Sequence, residues 1–433
     1  MKILNIIPFF AATIVSITVA YSQTLSTLDE CISYAISHNL EIVQNEIAVI
    51  QAKNNLQQAK IGILPELSAE LTHNTNWGRS VDLQELEIVK NKTGSFSASA
   101  GISVTLFDGL RQFNTIREKK AEMKFSEASL NQGKEDLIFN VLKAYLQVLL
   151  SWQILNDAQT AHKGILDQKE KIAIIVEAGG RPYGDLLEIS SREATERVNA
   201  AKAKSDLDMA YLSLRHILNL PDSMEVEINI PDYEELEANS IPNMEQASLL
   251  PQVQKATNMV DKATRGLSLA YGQLSPKIRI SGGIGSYYSD AATGDFSKQF
   301  KDNVNPSIGI TMAIPIFNKL EIINGIRNAK LSVSSAKAAY DSALLSAEKA
   351  ITEAVYEAFS LKGTRDAAME SLTYAEETYN YALLKFNLGE ISPSEYVTAR
   401  MNLDKAQCEY HQAKYRYIFQ IKILEYYRRL GRT

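Results

Sequence analysis

Phe96 to Leu110 reads FSASAGISVTLFDGL and Pro306 to Leu320 reads PSIGITMAIPIFNKL, so a shift of 210 residues carries Phe107 onto Phe317. The same shift takes Gly179 to Gly389 and Asp185 to Glu395, while Pro65 matches Pro276 at 211. One structural unit is therefore used twice. Within the first stretch Phe96, Ala98, Ala100, Ile102, Val104 and Leu106 alternate with Ser97, Ser99, Gly101, Ser103 and Thr105. That is the period of a strand with one apolar face.

Upstream, Leu67, Ala69 and Leu71 oppose Glu66, Ser68, Glu70 and Thr72 in a second strand pattern. Downstream, residues 110–178 hold no proline and repeat apolar residues at spacings of three and four through Leu137, Val141, Tyr145, Val148, Trp152 and Leu155. At about 1.5 Å per residue this predicts a helix roughly 100 Å long. It stops at Gly179-Gly180-Arg181-Pro182, a C-terminal glycine signal with a helix-starting proline behind it, and a shorter helix runs from Tyr183 to Asn219. A helix over 26–60 precedes the strands, opened by a capping box of Thr27 with Glu30. The second half predicts a helix over 243–274, strands near 277–288 and 303–316, and helices over 319–388 and 393–430, with Val226 to Ile230 as a small strand between the halves. Two short helices end to end match each long one. The chain divides into a signal segment 1–22, a first repeat 23–220, a link 221–242 and a second repeat 243–433.

Lys2, the apolar run Ile3 to Ala20 and the small-residue site Ala20-Tyr21-Ser22 read as a secretory signal; an uncleaved anchor helix is the competing reading, weakened by Pro8. Past the signal no apolar run of about 18 residues predicts a transmembrane helix. With 45 basic against 51 acidic residues, a nucleic-acid partner is excluded, and Cys31 and Cys408 alone make no disulfide framework. The five histidines (His38, His73, His162, His216, His411) share no metal-ligand spacing and are assigned to polar helix surface, so no metal, cofactor or enzyme activity is expected. Ser281 to Gly285 is glycine-rich within a strand pattern, where it cannot open a helix around a phosphate.

Strands of this length with alternating apolar and small polar residues fit a bilayer-spanning barrel wall. Four strands cannot close a barrel, and open edges in lipid are costly, so several copies must share one. Two copies would give a barrel filled by side chains, whereas three leave an open lumen. Trp77, Tyr287 and Tyr288 near strand ends read as interfacial aromatics. The competing architecture is a soluble long-helix scaffold with hairpins packed on its end.

The duplicated helix–strand–strand–helix order, the junctions Leu64-Pro65 and Ser275-Pro276, the segment Leu106 to Leu110, and the turns Gly179 to Leu187 and Gly389 to Val397 together resemble the TolC-like outer membrane efflux proteins over the whole mature chain. The resemblance implies a mainly α fold with membrane β: a homotrimer whose 12-stranded β-barrel in outer membrane lipid continues into a 12-helix periplasmic tunnel. It implies a channel for a tripartite efflux system, with a type I protein secretion conduit of the same fold as the alternative. Its partners would be a periplasmic adaptor and an inner-membrane RND or ABC-type transporter. The adaptor would dock on the tips formed by Gly179, Gly180, Arg181, Pro182, Gly389, Glu390, Ser392 and Pro393. By motif position Asp185 and Glu395, with Glu188 one turn on, fall at the periplasmic entrance as an acidic ring; each also reads as a helix N-terminal acid favoured by the macrodipole. Phe386, Ile391, Gly184 and Thr398 stand where the family's best-known member has a polar latch, so closure is expected to rest on packing around Phe386 and Ile391.

Overall fold

The computed structural model describes residues 26–81, 88–221 and 244–430. The expected signal segment 1–22 and the expected strand Val226 to Ile230 lie outside the described residues. The chain forms two compact units, Met1–His38 with Asn140–Glu234 and Thr378–His411, and Asn39–Phe139 with Glu235–Glu377 and Gln412–Thr433. The helices are α1 (Leu28–His38), α2 (Leu40–Ile61), α3 (Arg111–Glu177), α4 (Tyr183–Leu218), α5 (Pro251–Gly272), α6 (Phe296–Asp302), α7 (Glu321–Asn387) and α8 (Pro393–Leu430). The strands are β1 (Glu66–Val81), β2 (Ile88–Phe107), β3 (Lys277–Ser289) and β4 (Asn305–Ala313). Both long helices, α3 and α7, have 67 residues, as the duplication requires.

Where expectation and structure differ, side chains and prolines decide. The helix predicted over 26–60 begins at its capping box, with Glu30 N donating to Thr27 Oγ1 at 3.3 Å and Thr27 N to Glu30 Oε2 at 3.1 Å, but it breaks at Asn39. Asn39 is extended (φ −71°, ψ 125°), and its side-chain oxygen Oδ1 accepts from the backbone N–H groups of Glu41 and Ile42, capping α2 instead of continuing α1. Pro251 takes the first position of α5, leaving Met244–Leu249 as a separate 3₁₀ turn. β4 ends at Ala313 rather than near Ile316, before Pro315, which has no N–H for the ladder. A short helix, α6, joins β3 to β4 where the sequence predicts none, and Asp295 caps it by accepting from Lys298 N at 3.1 Å. α3 also contains a stretch of mean hydropathy 1.3, apolar enough to cross a membrane although the sequence reading expected none. Half of that stretch is buried inside the protein, so its apolar character serves helix packing.

The sheet is antiparallel throughout, in the order β1-β2-β3-β4. Register places Leu67 opposite Ile102, Ile102 opposite Gly282, and Gly282 opposite Ile308, so one face collects the branched apolar residues. These are exposed, Leu67 at 78% and Ile308 at 86%, the reverse of a water-soluble sheet core. The other face pairs Ser68 with Gly101, Gly101 with Gly283, and Gly283 with Ser307. In the same unit Tyr417, Ile421, Ile423 and Leu424 of α8 pack on Ala354 and Ala358 of α7, whose small side chains allow close approach, and buried Gln420 donates to the Ala354 carbonyl at 2.8 Å.

The repeat extends to backbone dihedrals. Each strand-to-long-helix turn uses two successive left-handed residues, Gly109 (φ 73°) with Leu110 (φ 62°), and Lys319 (φ 54°) with Leu320 (φ 64°). At the first turn the Asp108 carboxylate caps α3 by accepting from Gln112 N at 3.1 Å. A Cβ on Gly109 would stand 2.4 Å from Ser275 Cβ and 2.5 Å from the Gly272 carbonyl oxygen, so this turn packs backbone to backbone against the end of α5. The equivalent residues therefore predict substitutions of opposite sign. Gly109→Ala lowers stability by about 2 kcal/mol or more, combining left-handed strain with the clash, whereas Lys319→Gly raises it by about 1 kcal/mol by removing that strain. Thermal unfolding of the two variants in detergent measures both.

Candidate functional site

The helix tips are built on one local device used twice. α3 ends with Gly180 N donating to the Ile175 carbonyl at 2.9 Å and Gly179 N to Val176 at 3.0 Å; α7 ends with Glu390 N to Lys385 at 2.9 Å and Gly389 N to Phe386 at 3.1 Å. These paired bonds, with Gly179 at φ 75° and Gly389 at φ 78°, are Schellman caps that satisfy the last carbonyls and turn the chain. The following helices start differently. α4 has Pro182 at its N-cap without a side-chain bond. α8 has a reciprocal box in which Ser392 Oγ accepts from Glu395 N at 3.2 Å and donates to Glu395 Oε1 at 3.1 Å.

Under the turns lies an apolar cluster of Ile165 and Ile172 from α3, Ile189 from α4, and Tyr396 and Val397 from α8, with Tyr379, Leu383, Phe386 and Ile391 packed against it. The Phe386 ring stacks on Tyr396 (centroids 4.7 Å, 22°), and the Arg181 guanidinium carbon lies 4.7 Å from the Phe386 centroid. The Tyr396 hydroxyl accepts from Gln168 Nε2 at 3.1 Å and shares a hydrogen bond with Tyr379 at 3.1 Å. Burial, then the Tyr379 bond, holds the Tyr396 hydroxyl above the ordinary tyrosine range, so it stays neutral. Arg400 pairs with Asp404 at 3.0 Å and lies over Tyr379 at 5.3 Å; burial nonetheless pushes the Asp404 carboxyl above the usual carboxylate range. The sequence reading missed this group, although Tyr396, Arg400 and Asp404 follow a legible i, i+4, i+8 spacing on α8.

Each acid singled out from the sequence has a partner within the chain. Asp185 faces Arg181 at 3.6 Å, Glu188 faces Arg192 at 3.3 Å and accepts from Ser394 Oγ at 3.0 Å, and Glu395 is held in its capping box. Gly184, beside Asp185 in the first turn of α4, has open space where a Cβ would stand. Thr398 Oγ1 donates back to the Ser394 carbonyl at 2.7 Å, a bond within its own helix.

Two of the histidines on helix surface lie beside carboxylates of other helices. His411 Nδ1 lies 2.8 Å from Asp157 Oδ2, and His162 Nε2 lies 3.0 Å from Glu193 Oε1, whose second oxygen is 3.1 Å from Lys169 Nζ. Buried Glu193 on α4 recruits partners from α3, a non-local need that spacing along one helix does not reveal. His73 lies on a strand, β1. Burial raises the Cys31 thiol to about 11, which leaves it unreactive at neutral pH. Among the described residues no group of three or more His, Cys, Asp or Glu is placed to hold a metal ion.

At the sheet, Trp77 is exposed on the apolar face at its far end from the helices. Neighbouring strand residues point to opposite faces, so Tyr288, opposite Phe96, shares the apolar face while Tyr287, opposite Ser97, stands on the hydroxyl-lined one. The hydroxyl-lined side is concave, enclosing about 710 Å³ between residues such as Ser68, Glu70, Ser99, Gly283 and Tyr287.

The sheet thus has one exposed apolar face and one face of glycine and serine, and both long helices end in glycine turns. The family model described as "Outer membrane efflux protein" matches residues 31–220 and 247–420, and the chain belongs to this family. It is 21% identical over 408 residues to the toxin and drug export protein A of Aggregatibacter actinomycetemcomitans, covering 90% of this chain and 83% of the relative. Its fold matches the CmeC outer membrane channel of Campylobacter jejuni with a TM-score of 0.81 at 18% identity, over 93% of this chain and 85% of that one. It also matches the MtrE outer membrane channel of Neisseria gonorrhoeae with a TM-score of 0.78 at 18% identity, over 93% and 88%. The protein is an outer membrane efflux channel with a periplasmic helical extension, and its family and fold are those of channels rather than enzymes.

The Glu193 site yields a test by pH. Hydrogen bonds from His162 and then Lys169 hold the Glu193 carboxyl below the ordinary glutamate range. A carboxyl with a lowered folded pKa adds stability above its unfolded pKa and loses it as pH falls through the folded value. Glu193→Gln therefore melts below the parent protein at neutral pH, and the gap closes as pH drops beneath the carboxylate range. Melting curves from pH 7 downward check this.

Proposed function

We propose that three copies pair β1 of one with β4 of the next, closing a 12-stranded barrel whose apolar face meets outer membrane lipid and whose hydroxyl face lines the lumen. The observation that carries this reading is the open four-stranded sheet with one exposed apolar face. The repeats 23–220 and 243–433 each supply one strand pair, one long helix and one returning helix, so the trimer has a 12-helix periplasmic tunnel. Trp77 and Tyr288 stand at the lipid interface, and Tyr287 faces the lumen. The duct is passive, without catalysis. It receives its cargo, a drug or toxin class as in the named relative, from an inner-membrane RND or ABC-type transporter. A periplasmic adaptor docks on the turns 179–182 and 389–393.

The tips form the periplasmic entrance. Threefold symmetry triples Asp185, Glu188 and Glu395, and their field concentrates cations there, moderated at Asp185 and Glu188 by Arg181 and Arg192. Closure rests on apolar and cation–π packing around Phe386 and Ile391, in place of a hydroxyl–acid latch. Phe386→Ala removes the ring between Arg181 and Tyr396 and is expected to raise single-channel conductance in planar bilayers; an unchanged conductance counts against a packing-based entrance.

A further inference from the structure

We propose that α6, in the connection between β3 and β4, is an interfacial anchor that seats its aromatic side in the outer-leaflet boundary between acyl chains and headgroups. The inference rests on the barrel reading, which makes the apolar sheet face the lipid-facing one. α6 lies on that face. Phe296 is 5.1 Å from Tyr288 and 5.8 Å from Phe96 between ring centroids, and Phe300 is 5.3 Å from Phe296 and 6.0 Å from Phe96. Ser286, on the same face as Tyr288, donates to the Phe300 carbonyl at 2.5 Å.

The residues beneath this cluster continue the exposed apolar wall through Ile284 and Ile102 to Ile308. The cluster sits over β2 and β3, the central strands, and so leaves the β1 and β4 edges open for neighbouring copies. It stands at the sheet end remote from the helices, because β1 leaves α2 at Glu66 and β2 returns to α3 after Phe107.

The connection is fixed in this position by polar bonds. The buried Gln299 amide donates to the carbonyls of Ser289, Ala292 and Gly294 at 3.0, 3.2 and 2.9 Å and accepts from Ser289 N at 3.1 Å. Asp290 accepts from Gly94 N at 2.7 Å, tying the connection to β2. Phe296, held in place by these bonds, is still 47% exposed, and exposed Lys298 and Lys301 on the same helix can extend toward headgroup phosphates. An aromatic half-covered by its own sheet beside lysines suits the boundary region of a bilayer better than open water. The β3–β4 connection thus lies outside the wall and sets the depth of the barrel, rather than crossing its lumen.

Tryptophan reporters test this in the full-length trimer, reconstituted in vesicles with acyl-chain-brominated phospholipid after replacing Trp77 and Trp152 with Phe. Ile308→Trp reports the wall and Phe296→Trp reports α6. Quenching of both by brominated lipid, with Phe296→Trp insensitive to aqueous iodide, is the expected result. Quenching of Ile308→Trp alone, with Phe296→Trp quenched by iodide, overturns the anchor and leaves the barrel intact. Quenching of neither overturns the barrel reading and the anchor with it. Should Phe296→Trp fail to assemble, Phe300→Trp in the same aromatic stack reads the same outcomes.

Discussion

The constraint on which the rest depends is the unpaired backbone at the two edges of the sheet. Among the described residues, β1 and β4 each carry one edge without a partner strand. In hydrocarbon each unsatisfied N–H or C=O costs several kcal/mol, so the sheet is stable in a membrane only when other copies complete its ladders. This explains why a sequence of alternating residues places its largest apolar side chains outward. It also accounts for the glycine and serine on the opposite, concave face, which in the proposed barrel would line the lumen.

A second requirement arises at the helix tips. A 67-residue helix must stop and reverse without leaving its final carbonyls unpaired, and both long helices solve this with a left-handed glycine. The two tips then diverge in side-chain chemistry. Position 181 is an arginine that lies over Phe386, while its counterpart 391 is an isoleucine that joins the apolar cluster. The duplication supplies equal backbones, and the differences between the copies make the packing at the two tips asymmetric.

Most of the fold was legible because its signals are local and periodic. The period-2 stretches located β1 and β2, proline-free spacing of three and four located α3, the repeat carried this plan to the second half, and Gly179 and Gly389 marked the ends of α3 and α7. The breaks at Asn39 and Pro251 were also local, but each interrupts an apolar pattern that continues on both sides. α6 has no local signal, because its Phe296–Phe300 pair has meaning only against Tyr288 and against Phe96, which lies 200 residues before Phe296. The tip residues were found by position, whereas the bonds among Gln168, Tyr379 and Tyr396 and the His162–Glu193 pair connect different helices and had no signal within one of them.

The central claim is that edge pairing between copies of this chain builds one barrel. Its most direct test is to extract the mature protein from outer membranes in detergent, measure its protein mass by light scattering and view it by electron microscopy. The account predicts the mass of three chains and a threefold tube with a helical section of roughly 100 Å. A water-soluble monomer or dimer without a barrel would contradict it.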